Sequence, residues 1–525
     1  MVLSRARSPA LLMGAALAAL CANAWAAGGG KSSDPEKTPP PNDPNTRYVV
    51  RAVSAADLAI PPPSLPDLRP YNAQAIAAKI KAKPVGQVSV RRMVGVPALH
   101  EFVASGGRLG EWGSRQGTMP QALFLEGGYM TPRDLARAMP DEIRQVSPGV
   151  YLLRLPLLVQ PGATLHIDPS VKEFRMSQER GAYLVNDGML FITSSRVTSW
   201  SETHQAPAKY SRPDEFRPFI LSWGGSQTYI YKSVVNHLGY DASKSYGVSI
   251  SQYSPHQDAK LHRPRPTGWI LDSTFSDNYY GFYCYEADDI VIARNKYVDN
   301  IVYGIDPHDR SNRLIIAENY ASGKEAKHGI IISREVNDSW IFRNRAVGNK
   351  LAGIVLDRNS SNNVVAYNES SGNRGDGITI YESPDNLIWG NRSIGNERHG
   401  IRLRNSVDIR MYDNIVAGNQ LAGIYGHTKD LSGTDRNLKL DPVEQKFSMV
   451  VVGGQIIHNG SGPVTLDRPL SVELYNIDLL APSKKAGLQM TGVMGQFQNE
   501  ILDILVRQRA AAVIVPAQDV TLNER

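Results

Sequence analysis

The sequence predicts an all-β protein: a right-handed parallel β-helix, built as a solenoid of 23–25-residue coils, with a small N-terminal region and a C-terminal capping helix. Three series carry that expectation. Glycine followed by an apolar or aromatic residue recurs at Gly281, Gly304, Gly329, Gly353, Gly377, Gly400 and Gly423, in steps of 23, 25, 24, 24, 23 and 23. Asparagine recurs at Asn295, Asn319, Asn344, Asn368, Asn391 and Asn414, in steps of 24, 25, 24, 23 and 23. A third series, Gly348, Gly372, Gly395 and Gly418, is each time followed by Asn. A fixed period of this length marks a stacked-repeat architecture.

The chain opens with Arg5 and Arg7, an apolar run from Leu11 to Leu20, and small residues around Ala22–Ala26. That is the pattern of a secretory signal peptide, residues 1–26, cleaved after Ala26. The apolar run falls short of the roughly 20 residues that span a bilayer, and no later segment reaches it, so no transmembrane segment is expected. Removing 1–26 takes away two arginines and leaves 55 basic against 51 acidic residues. So small an excess argues against a general nucleic-acid binder but allows a local basic groove. Cys284 is then alone, and no intramolecular disulfide can form.

Residues 27–47 (to Arg47, rich in Gly, Ser, Pro and charge) read as a disordered linker. Residues 48–148 form a mixed N-terminal region, in which Thr131-Pro132 opens a short helix. The β-helix is expected over 149–490. After each glycine comes in–out–in alternation, as in Ile330-Ile331-Ile332, and a second alternating run precedes each Asn, as in Val364–Tyr367. Stacked coils place like residues above like, so the asparagines are expected to hydrogen-bond along the stack. The remaining 491–525 form the C-terminal cap, with an amphipathic helix at Asn499–Gln508.

The outward positions two after the glycine are Tyr283, Asp306, Ile331, Val355, Thr379 and Arg402; four after, they are Tyr285, His308, Ser333, Asp357, Tyr381 and Arg404. One coil breaks the apolar rule: Gly304-Ile305-Asp306-Pro307-His308-Asp309-Arg310. Pro307 forfeits a ladder hydrogen bond, and Asp306 and His308 alternate onto one face. A broken rule that leaves an ionisable cluster marks a functional site. His328 and His399, just before their glycines, read as turn or packing residues. Exposed Tyr and Arg columns suit a sugar polymer. Two carboxylates for glycoside hydrolysis are poorly met by Asp306 and Asp309, which strict alternation points to opposite faces. A lyase or a non-catalytic polymer scaffold fits the same residues.

The Asp306-Pro307-His308-Asp309 motif, set in 23–25-residue coils behind a secretory signal, resembles the periplasmic mannuronan C5-epimerases of alginate biosynthesis, over roughly residues 48–525. The resemblance implies an isomerase acting on polymannuronate in the periplasm. It implies His308 as the base for the C5 proton, Asp306 as its motif partner, and Arg334 as the neutraliser of the uronate carboxylate. Tyr285, Tyr303, Asp309, Arg310 and Arg358 become the substrate-binding candidates, with Tyr303, Tyr285 or water as proton donor. Arg334 and Arg358 lie five after their glycines, so the strand must end before them if either is to reach substrate. No cofactor and no metal are expected: neither nonapeptide calcium repeats nor a His/Cys cluster with zinc spacing occurs. Expected partners are the alginate chain and other periplasmic and outer-membrane proteins of an alginate export complex.

Overall fold

The computed structural model describes residues 46–81, 83–103, 108–439, 441–480 and 488–517. The signal peptide and most of the linker lie outside them. Three sheets of 15, 15 and 14 strands run the length of the solenoid, and strands of successive coils pair in parallel. In one coil the chain passes through the first sheet (Tyr280–Tyr285), the second (Val291–Ala293) and the third (Lys296–Val298), then re-enters the first at Tyr303–His308. Alternation sends Phe282, Cys284, Ile305, Ile330, Ile332, Ile354 and Leu356 into one continuous core.

The corners explain the period. The residue before each ladder asparagine has positive φ: 58° at Arg294, 57° at Glu318, 53° at Arg343 and 56° at Tyr367. This left-handed residue turns the chain from second to third sheet and leaves backbone groups facing inward. The asparagine satisfies them. Asn344 Nδ2 donates to Ile316 O (2.8 Å) and to Asn368 Oδ1 (3.0 Å), while its own Oδ1 accepts from the backbone N and Nδ2 of Asn319, both at 3.0 Å. The same pattern links Asn295 through to Asn414. The Gly-Asn series forms a second ladder, Asn349–Asn373–Asn396–Asn419–Asn459. Glycine is required at Gly304, where a Cβ would lie 2.4 Å from Gly329 O in the next coil.

The N-terminal region reaches both ends of the solenoid. Tyr48–Val53 pairs antiparallel with Ala511–Pro516, which pairs with Ser471–Tyr475, so this strand lies at the C-terminal end of the solenoid. The chain then runs back along the outer face of the second sheet, burying Ile76 and packing Leu68 and Tyr71 against an aromatic row that includes Tyr229 and Trp269. Gln121–Glu126 pairs in parallel with Leu157–Val159, so coil pairing starts before Gly149. The helix Pro132–Ala138 carries a Thr131/Asp134 capping box and seats Leu135 in the end of the core. At the other end, Gln498–Leu502 is α-helical and continues as a π-helix through Gln508, burying Ile501 and Ile504.

Asn344→Ala should remove a satisfied buried network and cost about 1–3 kcal/mol, whereas Lys324→Ala, in an exposed turn, should change stability by less than about 0.5 kcal/mol. Thermal melts of both variants check this; equal melting temperatures would contradict the ladder. Asn359 does not serve as an exposed control, because its amide donates to Asp441 Oδ1 at 3.3 Å.

Candidate active site

The outward columns of the first sheet stand in register. Tyr283 pairs with Asp306, and Tyr285 with His308. His308 pairs with Ser333, Ser333 with Asp357, Asp357 with Tyr381, and Tyr381 with Arg404. Strands end at His308, Ser333 and Asp357. The next residue enters the left-handed region each time: φ is 39° at Asp309, 64° at Arg334 and 54° at Arg358. That turn takes these residues out of the alternation that would have buried them in the core. The requirement read from the sequence, that the strand stop before Arg334 and Arg358, is met.

The same turn corrects the placement of Asp309. Alternation put Asp309 opposite Asp306; instead its carboxylate accepts from His308 Nδ1 and lies 3.0 Å from Arg334 Nη1. Asp309, not Asp306, is therefore the direct partner of the imidazole. With the proton on Nδ1 directed to Asp309, Nε2 is left as the proton acceptor. His308 is 19 % exposed and Asp309 8 %, so the ring can meet a ligand while its partner stays covered.

Asp306 is outward-facing but buried beneath neighbouring side chains, and among the described residues its Oδ1 has no hydrogen-bond partner. Burial, reinforced by Asp309 and Asp357 and opposed by His308, pushes its carboxyl up to about 7. Burial opposes charge on His308, but Asp309, through space and through the hydrogen bond, and Asp306 outweigh it. The imidazole is held above its ordinary value. Asp309 is lowered: burial works against its charge, and His308, Arg334 and Arg310 prevail.

The remaining candidates separate into two groups. Tyr285 lies beside His308, with Lys244 Nζ 4.6 Å over its ring, and burial pushes its phenol up to about 12. Tyr303 stacks on His328 (5.7 Å) and packs over Ile331 and Val355. Arg310 is drawn off to Glu286, Nε–Oε1 2.8 Å. Arg358 sits two coils from His308, its Nε 3.5 Å from Asp357 and 3.8 Å from Asp441. His328 and His399 accept backbone N–H groups of the next coil and are pushed down to about 4, chiefly by burial, in keeping with packing roles. Sequence reasoning missed Lys244, which is buried, 3.6 Å from Glu101 and bonded to Gln252 O; it stands outside the periodic coils, where no pattern could flag it. Tyr283, placed on the outward column by its spacing but not among the candidate site residues, has its ring centroid 6.1 Å from that of His308.

A raised folded pKa predicts a testable titration. His308 should titrate above the ordinary ~6.5, and Asp309→Asn should bring its midpoint down. Its contribution to stability is present below its unfolded pKa and lost as pH rises through the folded one. Carbon-13-labelled histidine NMR checks this, with His308→Asn assigning the signal; an unmoved midpoint in Asp309→Asn would remove Asp309 as the cause.

Comparison with known proteins gives a consistent outcome. Residues 265–387 match the family model described as "Right handed beta helix region", and residues 358–438 match "Periplasmic copper-binding protein (NosD)". The chain is 53% identical over 509 residues to the mannuronan C5-epimerase AlgG of Azotobacter vinelandii, covering 96% of each. It is 55% identical over 518 residues to the mannuronan C5-epimerase of Pseudomonas aeruginosa, covering 97% of this chain and 95% of that one. The crystal structure of the periplasmic alginate epimerase AlgG superposes with a TM-score of 0.79 at 53% identity, over 80% of this chain and 99% of the other.

Proposed function

The chain belongs to the mannuronan C5-epimerase family, and from that membership we propose that it converts mannuronate to guluronate within the alginate polymer, in the periplasm, with His308 as base and Arg334 as charge neutraliser. The observation that carries the residue assignment is the Arg334–Asp309–His308 constellation on the outward edge of the first sheet. Polymannuronate presents a carboxylate beside C5. Taking the C5 proton turns it into a dianionic enolate, prohibitive unless one charge is offset. Arginine offers a planar pair of donors for that carboxylate, and losing such a group costs about 3–4 kcal/mol of barrier.

His308 Nε2 removes the C5 proton. Asp309 holds the ring through Nδ1 and stabilises the imidazolium that forms. Arg334 binds the carboxylate as its charge grows. A proton then returns to C5 from the opposite face, and the sugar becomes α-L-guluronate. Tyr285, paired in register with His308, and Tyr303 are the candidate donors, with water as the other source. Arg358, two coils from His308, suits the carboxylate of a neighbouring sugar, since adjacent strands are about 4.8 Å apart. Docking to other periplasmic and outer-membrane proteins of an alginate export complex belongs to the same proposal, on family resemblance.

His308→Ala should abolish guluronate formation, followed by proton NMR of polymannuronate, while shifting the melting temperature little. Unsaturated product absorbing in the ultraviolet would instead indicate a lyase. Arg334→Lys keeps charge but loses the planar fork, and should lower kcat by about 10²-fold or more with polymer affinity largely retained. Arg358→Lys should act mainly on KM. If Arg358→Lys abolished turnover and Arg334→Lys did not, the two roles exchange.

A further inference from the structure

One segment breaks the period of the solenoid. Asn419 and Asn459 are ladder neighbours 40 residues apart, where Asn396 and Asn419 are 23 apart. The extra residues fall between Ile424–His427 and Ser448–Val452. Their course is set by three contacts along one column. At the root, Lys429 N donates to Asn405 Oδ1 (2.8 Å) and Asn405 Nδ2 to Lys429 O (2.7 Å). One coil nearer His308, Arg436 Nη1 donates to Glu382 Oε2 at 2.7 Å. One coil nearer again, Asp441 Oδ2 lies 3.8 Å from Arg358 Nε, and Asp441 Oδ1 accepts from Asn359. Asn405, Glu382 and Arg358 each follow the last strand residue of their coil, and the next members of that column are Arg334 and Asp309. The segment therefore runs along the edge of the active groove toward His308 and sets Asp441 one coil short of Arg334.

The contacts are built, not incidental. The side chains of Arg436 and Asp441 are covered, and Arg436 Nη2 donates to Asp441 Oδ1 at 2.7 Å. Glu382 is buried too and also accepts from Arg404 Nε at 2.7 Å. Charges alternate along the chain Arg404–Glu382–Arg436–Asp441–Arg358, as a desolvated network requires. We propose that Asp441, anchored by Arg436, is a positioning residue: it fixes the guanidinium of Arg358 so that the next uronate carboxylate along the polymer is bound one coil beyond the reacting sugar. Asp357 at 3.5 Å and Asp441 at 3.8 Å flank the same Nε, and between them they set the guanidinium plane while a substrate carboxylate docks on the Nη edge. The inference rests on the reading of Arg358 as a substrate-binding residue.

The test uses purified full-length mature protein acting on polymannuronate, with kcat and KM for wild type, R358K, D441N, D441E and R358K/D441N. D441N should raise KM about tenfold with kcat within about twofold, and D441E should recover most of the loss. The double variant should be no worse than R358K, because removing both partners of one interaction is not additive. Wild-type KM in D441N beside a raised KM in R358K overturns the positioning role, as do additive effects. A D441N variant that loses kcat and melting temperature together shows a purely structural segment and also overturns it. If R358K itself keeps wild-type KM, the subsite reading of Arg358 fails, and the inference falls with it.

Discussion

The corner hydrogen bonds of the solenoid are the constraint on which the remaining structure depends. A chain turning between sheets leaves buried amide groups that cannot reach water, and each must find a partner. The ladder asparagines supply it, each binding the asparagine above and below and a strand carbonyl as well. An asparagine one residue out of place would orphan groups in two coils. The period is therefore held within narrow limits, and a held period fixes the rotation of every coil about the axis. Residues five after each glycine must then form a column: Asp309, Arg334, Arg358, Glu382 and Asn405. The proposed catalytic edge is one of these columns, and its alignment is inherited from a hydrogen-bond ladder at a different corner.

Within that column the electrostatics are close to balanced. Arg334 and Arg358 occupy adjacent coils, where like charges would repel. Each has a carboxylate beside it, Asp309 for Arg334 and Asp357 with Asp441 for Arg358. His308 and Asp306 complete the cluster. His308 is raised by its acidic neighbours, and Asp306 is pushed up to about 7 by burial.

Much of this was legible in the sequence because repetition makes register visible. The Asn295–Asn414 ladder, the columns through Tyr285 and Arg404, and the interruption at Asp306–His308 all follow from counting. Asp309 was not legible as the partner of His308, because alternation governs a strand and the strand ends at His308; a left-handed residue then reverses the side on which the next side chain emerges. Lys244, Arg436 and Asp441 were not legible because they come from segments outside the period, where position in sequence says nothing about position on the column. The N-terminal strand at Tyr48–Val53 was hidden for a related reason. Its partner, Ala511–Pro516, lies at the far end of the chain, and pairing over that separation leaves no local pattern.

The pairing of Arg334 with Asp309 bears on the proposed mechanism. The Asp309 carboxylate is shared between the imidazole and the guanidinium. A substrate carboxylate binding Arg334 competes for that guanidinium. As Arg334 turns to substrate, its stabilising effect on the Asp309 charge weakens, and Asp309 bears more fully on His308. The imidazole becomes a stronger base at the moment the C5 proton is brought to it, because Arg334 is itself one of the groups that hold its pKa down. On the proposed mechanism, a uronate carboxylate that draws Arg334 from Asp309 leaves His308 the stronger base, and discrimination for uronates comes from the same ion pair that orients the imidazole.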